Sequence, residues 1–313
     1  MPLLQISARE TGPALHGATA PLLPCLRRAL AGDPGPITIM VHGYKYLPGH
    51  PIACPHRGIL ARKPLVTGKR VISWPRRLGL RGQHGEGLGI SFGWRARGSI
   101  WAAWEAASEA GLQLAALLDM LSQLAPERPI HLIGHSMGAR VVLTALNTAA
   151  TGTLRTVILL AAAEFESTAR RALNRLEPQT QVLNVTSREN DLFDFCLERL
   201  VPAPETGARM LGCGGLRHPR MATIALDDPS HLAALRRAGF PIAPPVRRVC
   251  HWSPYLRPGV FPLYRALRAG RMDVARLRAQ LPCDTSPRWS RLRPPLWSGL
   301  MQNQAQSRTI GQI

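Results

Sequence analysis

The sequence predicts an α/β chain: a mostly parallel central sheet with helices on both faces and irregular insertions. Three observations predict it. Apolar, β-rich runs alternate with amphipathic helical stretches between residues 130 and 187, and such alternation puts connecting helices over both faces of a parallel sheet. Residues 129–143 read strand, tight turn, helix, with Gly134-His135-Ser136-Met137-Gly138 at the turn. Ile37-Thr38-Ile39-Met40-Val41 is a second buried-type strand, and it runs into His42-Gly43-Tyr44.

Taken in order, residues 1–35 form a lead-in with a short apolar piece at 3–6 and a short helix around 22–30. The strand at 37–41 opens the main domain, which extends from 36 to 281. Residues 45–70 are rich in Pro, Gly, His and basic side chains and read as an insertion beside the mouth of the site. Strands are expected at 70–74, where Pro75 ends the run, and at 89–94. A long helix fits 99–124, where Ile100, Ala103, Trp104, Ala107, Leu114, Leu117, Leu118 and Leu121 repeat at helical spacing. After the strand and helix around Ser136 come a strand at 156–162, a helix at 167–176 and a strand at 181–187. Residues 197–245 read as a second insertion with a short helix at 229–238. A last short strand is expected at 246–250, a helix at 260–268, and a poorly ordered tail over 282–313.

The pentapeptide around Ser136 matches G-x-S-x-G, the nucleophile elbow. A serine forced onto a sharp strand-to-helix turn adopts strained backbone angles, and glycines on either side remove the resulting collisions. The following helix points its free N–H groups at the place where an oxyanion forms. The elbow and the His-Gly strand end together resemble the α/β-hydrolase superfamily over residues 36–270. The segment 187–191 and the strand end at Trp94 look similar to uncharacterised bacterial serine hydrolases of that superfamily.

The resemblance implies a triad in the order Ser, acid, His, each at the C-terminal end of a strand. Ser136 is then the nucleophile. A serine needs an imidazole to take its proton and an acid to hold that imidazole in the right tautomer. Asp191 follows the strand at 181–187 and is the candidate acid, with Asp194 and Glu164 as alternatives; a helix N-cap is the plain structural role for Asp191. His251 follows the expected strand at 246–250 and is the candidate base, ahead of His218 in a Gly/Pro loop and His231 in a helical first turn. The gap of 60 positions between Asp191 and His251 is long for the superfamily. His135 is expected to point away from the serine, and His42 to be a structural hydrogen-bonder. Backbone N–H groups of Met137 and Tyr44 would form the oxyanion hole.

Composition bounds the rest. Hydrophobic residues are 45% of the 313, enough for a sizeable core. The net charge is +20, but 36 of the 39 basic residues are Arg, and they are distributed along the whole chain. A GC-rich genome produces the same skew. No nucleic-acid module accompanies it, so a nucleic-acid partner is not indicated. The six cysteines lack any C-x-x-C pair. No secretory signal and no run long enough to span a membrane is visible, and a cytoplasmic location is expected.

The reading is a serine hydrolase that cleaves a carboxylic ester or thioester through an acyl-enzyme on Ser136, with a small acyl compound as substrate and neither metal nor cofactor. Trp74, Phe92, Trp94 and Trp101 either line an acyl pocket or belong to the core. An arginine-rich rim would favour an anionic ester. The rivals are an acyltransferase using the same triad and a non-catalytic scaffold that binds a ligand or polyanion. Oligomeric state is not legible.

Overall fold

Residues 3–282, apart from 67, 151 and 214, are described by a computed structural model. Among them eight strands form one sheet: β1 (Leu3–Arg9), β2 (Gly12–Leu15), β3 (Ile37–Val41), β4 (Leu88–Gly93), β5 (Ile130–His135), β6 (Leu154–Leu160), β7 (Gln181–Thr186) and β8 (Met221–Ala225). Their order is β2-β1-β4-β3-β5-β6-β7-β8, and every neighbouring pair is parallel except the β1–β2 hairpin at one edge. The helices are α1 (Leu22–Ala31), α2 (Trp74–Arg77), α3 (Ile100–Leu124), α4 (Met137–Leu146), α5 (Glu166–Arg175), α6 (Asp191–Leu200), α7 (Pro229–Arg237), α8 (Ser253–Leu256), α9 (Val260–Arg268) and α10 (Val274–Gln280).

Alternation along each strand builds two cores. Ile39, Val41, Leu132, Val157 and Leu159 face the layer of α1, α3, α4 and α5, whereas Met40, Ile133, Ile158 and Leu160 face the layer of α2, α7, α9 and α10. Because both faces are covered, β3, β4 and β5 are buried at every position. The result is a mostly parallel α/β sheet with helices on both faces, as the sequence predicts.

Three elements differ from the expectation. Residues 70–74 are not a strand: Ser73 Oγ accepts the Arg76 N–H and Pro75 sits in the first turn, so the chain starts α2 there. Residues 246–250 carry no strand either. Pro241, Pro244 and Pro245 supply no N–H for a ladder, and Val246 stands 89% exposed. The last strand is instead β8, inside the 197–245 stretch, where Met221, Ala222, Ile224 and Ala225 pack on β7 and both cores. The lead-in supplies β1, β2 and α1 to the same sheet. Beyond Pro282, the expected tail lies outside the described residues.

Candidate active site

Ser136 sits between β5 and α4 with φ 56° and ψ −126°, a backbone state that a side-chain-bearing residue holds only under constraint. Its N–H donates to the Leu160 carbonyl at 2.9 Å, and its own carbonyl accepts from Ala139 and Ala163 at 2.9 and 3.1 Å. The elbow glycines are steric necessities. A Cβ on Gly134 would lie 2.7 Å from the Gly138 carbonyl oxygen, and one on Gly138 would overlap the carbonyls of His42 and Val41 at the end of β3. The β3 end presses equally on the serine, since a Cβ on Gly43 would come within 2.9 Å of Ser136 Cβ. Thus Met137, whose N–H is one of the unsatisfied first donors of α4, and the Gly43–Tyr44 segment flank Ser136. The Tyr44 hydroxyl is engaged elsewhere, donating to the Gly98 carbonyl at 2.6 Å.

His42 holds this strand end in place. Its Nδ1 donates to the Gly43 carbonyl, its Nε2 accepts from the Trp94 N–H at 3.0 Å, and the Trp94 indole donates to the His42 carbonyl at 2.9 Å. Burial pulls its pKa down to about 3, so the ring is neutral.

His251 arrives by a loop, not by a strand. The Cys250 N–H donates to the Glu189 carbonyl at 2.8 Å, which ties the loop to the turn after β7. His135, the residue before the nucleophile, donates from Nε2 to the His251 carbonyl at 2.9 Å, and the two rings lie 4.7 Å apart. His135 therefore faces the His251 loop. Phe193 and Trp252 close over the His251 ring at 4.8 and 5.8 Å. Burial, with a smaller contribution from His135, holds the His251 pKa well below 6.5. The imidazole is neutral at pH 7, as a general base must be.

The group that meets His251 Nδ1 is Asn190 Oδ1, at 2.5 Å. Asn190 is not among the candidates that the sequence offers, because an amide after a strand end carries no acid signature. Ser187 Oγ accepts the Glu189 N–H and starts a tight turn over 188–190, which delivers Asn190 to the histidine. Glu189 is committed to Arg257 and to the Ser187 hydroxyl. Asp191 comes next and opens α6, half-buried. Asp194 packs against Gly212, where a Cβ would overlap its carboxylate. Glu164 is fully buried against Arg140 at 2.5 Å and accepts the Phe165 N–H. His231 accepts the Ala225 N–H at 3.0 Å, and His218 meets Asn174 and the Arg220 N–H.

Trp74, Phe92 and Trp94 are fully buried core residues, while Trp101 is 53% exposed and donates to the Leu200 carbonyl. No group of three His, Cys, Asp or Glu among the described residues is placed to hold a metal, and no described helix is long and apolar enough to cross a membrane.

A family model described as "Protein of unknown function (DUF726)" matches residues 98–200, a span that contains Ser136, Glu164, Asn190 and Asp191 but not His251. No curated protein matches the sequence. Among solved structures the chain is similar to phospholipase PlaB from Legionella pneumophila in complex with thio-NAD, at 13% identity and a TM-score of 0.38. That match covers 78% of this chain and 60% of the phospholipase, so the chain spans less than two thirds of its length.

Proposed function

We propose that this chain is a serine hydrolase that cleaves a carboxylic ester or thioester through an acyl-enzyme on Ser136. The observation that carries the reading is the strained backbone of Ser136 at the turn between β5 and α4, wedged against Gly43 at the end of β3. A fold keeps such strain where the surrounding structure overdetermines it, and here it sets a serine at the start of α4 beside the end of β3.

In this reading His251 takes the serine proton as Ser136 Oγ attacks the acyl carbonyl, and returns it to the leaving group as the tetrahedral adduct collapses. Water then attacks the acyl-enzyme with His251 again as base. The N–H groups of Met137 and Tyr44 stabilise the oxyanion. Asn190 holds the imidazole through Nδ1, with Asp191, the neighbouring carboxylate, as its competitor for that role. The substrate is a small acyl compound, and the reaction calls on no metal or cofactor.

The test is a fluorophosphonate probe on the full chain, beside Ser136→Ala and His251→Ala. Labelling of the wild type that vanishes in Ser136→Ala and falls by roughly 10²-fold or more in His251→Ala is expected. A folded wild type that stays unlabelled while a serine esterase in the same tube labels fully sinks the reading.

A further inference from the structure

Residues 34–85, like residues 229–272, hold many cationic side chains and no carboxylate. Between Asp33 and Glu86 the sequence holds nine cationic residues, all three lysines among them, and no Asp or Glu.

The fold gathers the middle of this stretch beside β1. A groove of about 880 Å³ is lined there by Arg57, Arg62, Lys63, Arg76 and Arg81, with His56 in its wall. That volume lies in the range of small-molecule sites. A neighbouring recess of about 450 Å³ shares Arg76 and Arg81 and adds Arg77. No carboxylate lines either recess among the described residues. Glu86, next in the chain, is occupied by the backbone N–H groups of Arg81, Gly82 and Gln83. Cations gathered around a recess repel one another and raise the potential inside it, which an anion relieves.

Two further features mark a built recess. Arg62 packs its guanidinium against Gly82, where a Cβ would overlap it. His56 is only 2% exposed, and its Nδ1 has no partner. Its Nε2 lies 3.1 Å from Ser7 Oγ and its carbonyl is held by Gln5. Ser7 Oγ lies equally close to His16 Nδ1, and whichever ring it donates to, His56 Nδ1 is left without a hydrogen-bond partner.

We propose that this groove binds a phosphate ester or polyphosphate carrying at least two negative charges, at a site separate from Ser136. Guanidinium forks match phosphate oxygens in pairs, and several forks around one recess select for more than one phosphate charge. The phosphate belongs either to a soluble ester or to a lipid headgroup.

The experiment titrates the full chain with sodium tripolyphosphate by calorimetry and sediments it with phosphatidylcholine vesicles, with and without a phosphoinositide. The variants are Arg62→Ala/Arg76→Ala, the charge-keeping Arg62→Lys/Arg76→Lys, and a control pair on α7, Arg236→Ala/Arg237→Ala. Near-stoichiometric tripolyphosphate binding is expected, weakened about tenfold or more in the groove alanine pair, less in the lysine pair, and within about twofold of wild type in the control. Binding should fade as salt rises from about 0.05 to about 0.3 M. Vesicle binding that needs the phosphoinositide and is lost in the groove variant assigns a lipid headgroup; tripolyphosphate binding without vesicle binding assigns a soluble ester. Equal weakening in the groove and control variants overturns the site as general polycation attraction. So does the absence of both heat and sedimentation. Duplex DNA that displaces tripolyphosphate at equal phosphate concentration, with the same variant dependence, replaces the small ligand by a nucleic acid.

Discussion

Asn190 Oδ1 lies 2.5 Å from His251 Nδ1, and this contact sets the direction of the imidazole. With Nδ1–H donating to the amide oxygen, Nε2 remains the acceptor, the form that a serine nucleophile requires. An amide fixes the tautomer without supplying a negative charge for the imidazolium. Burial already disfavours that imidazolium, so the pair is tuned toward a neutral ring.

Exchanging the residues of this turn reads out which one orients His251. Asn190→Ala should cut fluorophosphonate labelling of Ser136 by roughly 10²–10⁴-fold, whereas Asp191→Asn should cost only a few-fold. The opposite pattern would hand the role to Asp191. Asn190→Asp puts a carboxylate on Nδ1, and an opposite charge favours the protonated ring. The acidic limb of the kcat/KM–pH profile should then move to higher pH by about one unit or more. A profile that stays in place argues against Asn190 as the partner of His251 in the proposed reaction.

The strain at Ser136 gives a second prediction, one that concerns stability. Glycine tolerates φ 56° far better than serine does, and alanine does not. Ser136→Gly should raise the Tm by about 2–4 °C, from about 1 kcal/mol of relieved strain, while Ser136→Ala should not. Both should lose labelling completely. Gly138→Ala should do the reverse and destabilise by about 3 kcal/mol or more, because its Cβ meets the His42 and Val41 carbonyls. Thermal melts of the three variants check this; a Ser136→Gly variant no more stable than Ser136→Ala would show that the turn stores no strain.

How much was legible follows from which residues carry local information. The elbow is local: strand, Gly-x-Ser-x-Gly and helix are contiguous, so β5, Ser136 and α4 could be placed from the sequence. The same holds for β3, β4, β6, β7 and α3, whose apolar positions form short β-rich runs or recur at helical spacing. β8 escaped because Met221-Ala222-Thr223-Ile224-Ala225 is short, contains small residues and lies between loops rich in Pro and Gly. His251 was reached through an expected strand that is absent; what positions it is tertiary, namely the Cys250–Glu189 and His135–His251 backbone contacts. Asn190 was invisible for a chemical reason. In a sequence, a carboxylate beside a strand end stands out as an acid, whereas an amide becomes significant only once its oxygen is seen against an imidazole.

Glu164, the third carboxylate weighed as an acid, is instead half of a buried pair. Arg140 reaches it at 2.5 Å, lies over the Trp104 ring at 3.7 Å and donates to Ser108 and to the Trp104 carbonyl. Desolvation raises the Glu164 pKa and Arg140 opposes the rise. Arg140→Ala should therefore destabilise by about 3–5 kcal/mol, since it strands a buried carboxylate. Adding Glu164→Gln should recover part of that loss by removing the charge. Urea unfolding of the single and double variants measures the difference. Glu164→Gln alone should keep probe labelling; a loss on the scale of Asn190→Ala would return Glu164 to the site.

Buried neutral histidines make the fold sensitive to acid. Burial brings His135 down to about 4, His42 and His131 to about 3, and His56 to about 2. The unfolded chain protonates these rings near pH 6.5, and the native chain does not until those lower values. Below about pH 6.5 the unfolded state thus binds more protons, and stability falls as pH falls. Each ring contributes a loss of about 2 kcal/mol at about pH 5. Four such losses together rival the 5–15 kcal/mol that holds a typical domain, so cooperative unfolding is expected between about pH 6 and pH 4. Urea melts at stepped pH, followed by circular dichroism, test this. A free energy of unfolding that stays level from pH 7 down to pH 5 would mean that these rings are hydrated or charged in the native chain.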